Sequence, residues 1–425
     1  MASLPAMSRP VAGKNALFFV FITVFIDVVG IGITIPVAPR LVAELGHIGL
    51  SDAARFGGWL MFVYAGMQFL CAPVVGNLSD RFGRRPLLIL SLLMMGLDFL
   101  IVALAPNLFW LFVGRTLSGM AGASFTTANA YIADITPPEK RAGNFGLMGA
   151  AFGIGFTVGP ALGGVLGDIS LRLPFYISAG LALCNAIYGF VVLKESLPPE
   201  KRRKFEWKRA NPLGAILMLK QFPFVLGLSV VLVLMRFAHD ANPSVWTYYT
   251  MLQFHWTMKE VGLSMMAMGM LTAIAYGGLT RVIIPRLGEI RSVYLGLSAG
   301  AIAFAGYAFA TAGWQLYAWM PVFCMMALVM PSLNAMMSRS VNPSQQGELQ
   351  GALTSIGSLT SVVAPLFMTY IFAHFSGAKA PVHFPGAAFL AASLCTVASA
   401  IAFTVLMRKN LHLSAMPEKE QTDAA

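Results

Sequence analysis

Ionisable side chains stand inside stretches of this chain that are otherwise apolar, and they are the residues best placed to do chemistry. Arg236, His239 and Asp240 follow one another at i, i+3 and i+4, so a helix carries all three on one face. Asp27 stands within Phe25-Ile-Asp-Val-Val-Gly-Ile-Gly-Ile-Thr-Ile-Pro36, Asp98 midway along a leucine-rich run, and Arg115 within Leu111-Phe-Val-Gly-Arg-Thr-Leu-Ser-Gly119. Charges in such surroundings are expensive unless they are paired or face water. A carboxyl shut away from water favours its neutral form and a guanidinium beside it favours the charged one, so a proton and a substrate can compete for one site. A His239–Asp240 pair titrating near neutral pH is a candidate proton carrier. An internally neutralised Arg236–Asp240 pair that stiffens the helix before Pro243 is an equal reading. Arg115 could likewise serve only as partner to one buried aspartate. Tyr64, Gln68, Asn129, Trp246, Asn334 and Gln350, with Arg236, are candidates to line a polar-aromatic substrate cavity.

The elements that must hold these groups are membrane helices. The chain has 425 residues, 57% of them hydrophobic and 11% charged, against about 25% charged in a soluble domain. Apolar segments run over 17–39, 57–75, 87–105, 108–132, 145–166, 174–193, 222–249, 261–284, 293–311, 315–337, 351–375 and 385–407. Each is about long enough to cross a ~30 Å hydrocarbon layer as a helix. The longer polar connector 194–220, with Lys201-Arg202-Arg203-Lys204, splits the twelve into two bundles of six, 1–193 and 221–425. The fold class expected is therefore all-α, integral membrane, twelve spans in two six-helix bundles. The polar segment 1–15 runs straight into a full-length span, so the first helix is expected to be retained.

Charge sets the expected topology. With both termini in the cytoplasm, 22 of the 29 Lys and Arg fall in inside segments and five fall outside: Arg40, Arg55, Arg172, Lys259 and Lys379. Topology and contact with anionic lipid thus explain the net charge of +11 better than nucleic acid does. The four cysteines, Cys71, Cys184, Cys324 and Cys395, all lie in apolar segments and read as small packing residues, with no disulfide framework or metal site implied. No G-x-x-x-x-G-K-[ST] stretch occurs, so ATP drive is not expected, and no cofactor is implied. A monomer is expected, with protons, lipid and a small molecule as its partners.

A shift of 205 residues superposes distant parts of the chain: Arg81-Phe82-Gly83-Arg84 falls on Arg286-Leu287-Gly288-Glu289, Pro138 on Pro343, Gly146 on Gly351 and Pro160 on Pro365. Such an offset points to parallel repeats related by an axis along the membrane normal, with a binding site between them near the midplane. The second copy has degenerated, since Asp80 becomes Pro285.

Between the second and third spans lies Gly76-Asn-Leu-Ser-Asp80-Arg81-Phe-Gly83-Arg84-Arg85-Pro86. Asp80 is placed to cap the following helix, and with Asp134 the segment is a candidate conformational latch. This stretch resembles the signature loop of the major facilitator superfamily. In the fifth span, Gly153-x-Gly155-x-x-x-Gly159-Pro160-x-x-Gly163-Gly164 lacks side chains along one face, and resembles the fifth-span motif of that superfamily's drug:proton antiporters. The resemblance extends over nearly the whole chain to the tetracycline/proton antiporters, through the stretches just quoted and through Ile132-Ala-Asp134 and Gln346-Gly-Glu-Leu-Gln-Gly351. It implies roles in transport for Asp27, Asp80, Asp98, Arg115 and Asp134, with Arg115 in proton coupling. It also implies a bacterial inner membrane location and proton-driven export of a small amphipathic compound by alternating access.

The second half departs from that pattern. The family's eighth-span histidine falls at Thr272 and its ninth-span proton-linked aspartate at Gly300, while Arg236, His239 and Asp240 appear on the seventh span. The resemblance therefore does not carry tetracycline over as the substrate. Two rivals stand beside export. One is proton-coupled uptake of an organic anion, drawn by Arg115 and Arg236 and steered by Arg40. The other is a transport-dead sensor or structural membrane protein.

Overall fold

The computed structural model describes residues 14–415 apart from 123, 204, 206–218, 343 and 344. Most of the basic connector thus lies outside the described residues. The first span is α1 (Lys14–Thr34) and α2 (Ala38–Gly46), bent by 48° where Pro36 cannot continue the helical hydrogen bonding. Then follow α3 (Leu50–Phe82), α4 (Arg84–Leu104), the pair α5 (Leu108–Ala121) and α6 (Ser124–Ile135), α7 (Arg141–Ile169) and α8 (Leu173–Val192).

The second half repeats the plan with more breaks. The seventh span is α9 (Pro223–His239) and α10 (Ala241–Gln253), interrupted where Pro243 cannot donate to the His239 carbonyl. The eighth is α11 (Met258–Ile274), a π-turn over Ala275–Leu279 and α12 (Thr280–Leu287). The ninth is α13 (Glu289–Ala308), and the tenth α14 (Gly313–Cys324), a 3-10 turn over Met325–Leu328 and α15 (Val329–Arg339). Last come α16 (Gln346–Ser376) and α17 (Ala387–Ala415). Among the described residues, nine helices are long and apolar enough to cross a membrane, ten with the bent first span. The fourth and ninth spans complete the expected series as a broken pair and a 20-residue helix. Ile187, Phe190 and Val191 on α8 and Leu394, Ile401 and Val405 on α17 are all exposed, a belt that only lipid would cover.

The 205-residue offset recurs in the backbone. It carries the first residue of α4 onto that of α13, of α5 onto that of α14, and of α7 onto that of α16. Between the halves, α3 packs on α16 and α7 on α11. The offset exchanges these two seams, the contact pattern of a two-fold relation. At the end of the molecule away from the start of α1 and the end of α17, here the far end, both seams are shut. Ser51 Oγ donates to Ser376 O at 3.0 Å and Ser376 Oγ to Ser51 Oγ at 2.9 Å. Gly58 abuts Thr369, and Gly164 abuts the backbone of Met258 and Lys259. At the near end, which bears the start of α1 and the end of α17, Gly76 and Gly149 face open space, as do Gly277 and Gly278. Among the described residues, the molecule is sealed at one end and open at the other.

Candidate functional site

In the first half, α1, α3, α4 and α5 bring the predicted charges together. Asp98 on α4 is 0% exposed, and Arg115 on α5 donates to its Oδ2 from Nη2 at 3.1 Å while staying 24% exposed itself. Gly114 leaves the room that Asp98 Oδ1 occupies. Asp27 is 8% exposed, hydrogen-bonds Asn185 on α8, and leaves Oδ1 buried without a partner. The Tyr64 phenol on α3 lies within electrostatic range of Asp27, Asp98 and Arg115. Gln68, one turn further on, donates to Gly122 O at 3.1 Å, which ties α3 to the break between α5 and α6. Asn129 is half-buried on α6.

The second-half cluster stands at the α9–α10 break. Arg236 points at α16, where Gly357 makes room for the guanidinium, and its Nε is buried without a partner. Asp240 hydrogen-bonds Ser361 on α16 and leaves Oδ2 unpartnered. Arg236 and Asp240 form no direct ion pair among the described residues, yet the guanidinium lies within electrostatic range of the carboxyl. His239 stays accessible, its ring stacked on Phe323 at 5.7 Å. Asn334 is half-buried with Oδ1 unpartnered.

Two substrate candidates are not where the sequence reading put them. Trp246 is buried, donating from Nε1 to Ser264 Oγ at 3.0 Å and packing edge-on against Tyr307 and Phe389. It belongs to the closed aromatic core. Gln350 is exposed near the start of α16, at the near end and away from the mid-span charges.

The near-end loop is a network built within the first half. Arg84 bonds Asp80 at 2.6 Å, Asp134 at 3.2 Å and Ser79 Oγ at 2.6 Å. The expected cap of α4 by Asp80 is replaced by Glu195, a residue the sequence reading missed. Its carboxylate accepts from the backbone N–H of Arg84 at 2.8 Å and of Arg85 at 3.3 Å, and from those of Ser196 and Leu197 at 3.0 Å each. Four donors on one carboxylate outcompete Asp80, which turns to Arg84 instead. Gly83, at φ +105°, lies against Glu195 and leaves no room for a Cβ. Arg81 stands outside the network, exposed over Phe82, and Gly76 touches no neighbouring helix here.

The small-residue motif of α7 serves two faces. Gly155, Gly159 and Gly163 meet α1 at Val28, Val29 and Ile33, whereas Gly164 meets α11 in the other half. Gly153 meets nothing.

Residues 20–365 match the family model described as Major Facilitator Superfamily. The chain belongs to the major facilitator superfamily. Within it, the chain is 41% identical over 361 residues to the class C tetracycline resistance protein of Escherichia coli, covering 85% of this chain and 90% of that one. It is 34% identical over 362 residues to the class D protein of Salmonella ordonez, covering 84% and 90%. The Multidrug resistance protein 2 of Bacillus subtilis is 28% identical over 84% of this chain and 89% of its own length. Among solved structures, a human organic anion transporter superposes with TM-score 0.68 over 92% of this chain and 99% of that chain, at 22% identity. A bacterial homologue of the human lysosomal transporter Spinster reaches 0.74 over 94% and 98%, at 16% identity. These two share the fold.

For a major facilitator protein, position 300 is informative. Gly300 is closed against the Met326 side chain, leaving no space for an aspartate. Thr272 Oγ1 lies 3.7 Å from Cys324 Sγ, so that place is also filled by a small polar contact. The second half carries a histidine and an aspartate at the seventh-span break, at 239 and 240, instead.

Proposed function

We propose that this multi-pass transporter exports a small amphipathic drug in exchange for protons, by alternating access between its two halves. The observation that carries the reading is Asp27: a carboxyl buried mid-span, without an ionic partner of its own, within electrostatic range of the same Tyr64 phenol as the Arg115–Asp98 pair. Asp98 is wholly sealed and already engaged, so it serves as the fixed counter-charge that holds Arg115 in place. Asp27 is then the group that exchanges its proton. Asp240 and His239 form the corresponding acidic and basic groups of the second half. Tyr64, Asn334 and Arg236 line the substrate path between them.

The kinship with tetracycline resistance proteins makes tetracycline the first compound to assay, alongside chemically unrelated amphipathic drugs. Both termini lie in the cytoplasm of a bacterial cell, its inner membrane holding the spans, on the strength of the Lys and Arg distribution. The near end therefore opens to the cytoplasm. The Asp80–Arg84–Asp134 network keeps the α3–α4 corner rigid as the halves rock.

The test uses everted membrane vesicles. An acid-inside gradient should drive loading of the drug, and Asp27→Asn should abolish that loading while equilibrium binding of the drug persists. Loading that requires an acid exterior instead would assign uptake symport.

A further inference from the structure

At the far end, where α3 meets α16, the seam borders a half-open cavity of about 390 Å³ whose lining includes Asp52, Arg55, Tyr370, His374 and Lys379. We propose that this cavity binds the phosphate of an anionic phospholipid headgroup, held between Arg55 of the first half and Lys379 of the second.

Three observations converge on it. Cations are scarce in the segments expected to lie outside, five in all, yet two of them, from opposite halves, share this one cavity. Neither Arg55 nor Lys379 is ion-paired among the described residues, although Asp52 lies in the same lining. Arg55 is held over the Tyr370 ring at 5.8 Å, and that ring stacks on His374 at 6.2 Å. The guanidinium is thus oriented by an aromatic face with its donors unspent, the arrangement that suits a phosphate oxygen pair.

The repeat supplies a control. At the other seam the 205-residue offset carries Arg55 to Glu260, Tyr370 to Val165, His374 to Ile169 and Lys379 to Pro174. There Glu260 caps α11 reciprocally with Thr257. That seam is closed by glycine packing, with Glu260 spent inside α11, whereas its counterpart keeps free cations around a void. Symmetry of the fold does not require the void, which leaves it free to hold a ligand. Below it on α16, Tyr370, Phe367 and Val363 continue as an exposed apolar stripe at helical spacing, and Phe56 and Trp59 are exposed on α3. Acyl chains would cover that stripe, which favours a lipid over free phosphate.

Native mass spectrometry of the full-length protein, released from detergent with short-chain phosphatidylglycerol, phosphatidylcholine or inorganic phosphate, tests the site. One phosphatidylglycerol should be retained in preference to phosphatidylcholine, and millimolar inorganic phosphate should not displace it. Arg55→Gln with Lys379→Gln should weaken retention by at least about tenfold. Lys259→Gln, a cation at the other seam, should leave it unchanged, and the swap Arg55→Lys with Lys379→Arg should keep it, which separates charge loss from misfolding. Retention unchanged in the Gln double variant, or equal retention of phosphatidylcholine, overturns the proposal. Displacement by inorganic phosphate alone overturns the lipid source.

Discussion

Asp27 and Asp98 are chemically identical carboxyls in neighbouring helices, yet their surroundings give them different work. Asp98 is spent on Arg115, while Asp27 has only the neutral Asn185 for a partner, and each keeps one buried oxygen unpaired. The same residue-by-residue logic applies in the second half, where the family's ninth-span aspartate would have to enter a filled space. Gly300→Asp should therefore destabilise rather than restore a coupling site. Overpacking against Met326 costs about 1–3 kcal/mol, and burying the carboxyl adds to it. A lowered thermal midpoint with no gain in proton-driven transport checks this. Trp246→Phe makes the complementary point. It removes the indole bond to Ser264, a loss of about 0.5–1.5 kcal/mol, and leaves the Ser264 hydroxyl still donating to Val261 O. Stability should fall slightly and the range of exported drugs should not change. A changed drug range in a stably folded Trp246→Phe protein would return the indole to the substrate path.

Helix ends tell how the two copies of one design have diverged. Gly83 and Gly288 occupy equivalent turns, both at positive φ. Behind Gly83 stands Glu195, whereas nothing lies behind Gly288. Gly83→Ala should thus lose both the relaxed backbone and the Glu195 cap, and Gly288→Ala only the former, about 1–3 kcal/mol by itself. Comparing the two melting temperatures checks the ranking. The same offset puts Arg84 on Glu289 and Asp134 on Arg339, and Glu289 and Arg339 do form an ion pair, with the charges reversed. Arg84 is 12% exposed and Arg339 66%, so only the first pair is sheltered enough to matter much. Much of this plan was legible in the sequence. Apolar length marks the spans because the bilayer demands it, Pro36 and Pro243 announce two of the breaks, and the repeat offset survives into the helix starts. The Glu195 cap was not legible, because its acceptor lies 111 residues from Arg84 and nothing local to either segment announces the pairing. Trp246 was misplaced for a related reason: an aromatic on a helix declares its face only when the neighbouring helices are known.

The whole molecule is held shut along two seams at the far end and spread at the near end, and exchange requires those seams to part. The two seams are equivalent under the repeat but are closed by different means. Between α7 and α11 the backbones meet at Gly164 and Gly262, a contact of packing alone. Between α3 and α16 the closure includes the hydroxyls of Ser51 and Ser376, 2.9 Å apart, at the end of a seam where a covalent tie can be placed. Oxygens this close put two cysteine sulfurs within reach of the ~2.05 Å bond of a disulfide. In a background with Cys71, Cys184, Cys324 and Cys395 replaced, since all four thiols are free, Ser51→Cys with Ser376→Cys should cross-link on oxidation. Proton-driven loading of drug into everted vesicles should then stop and should return with reductant, while either single variant ignores the oxidant. The tie touches none of the mid-span charges, so the loss would report motion rather than chemistry. If the cross-linked protein still exchanged drug for protons at the rate of its reduced form, the far end would not open during transport, and the two halves could not be rocking about the central site.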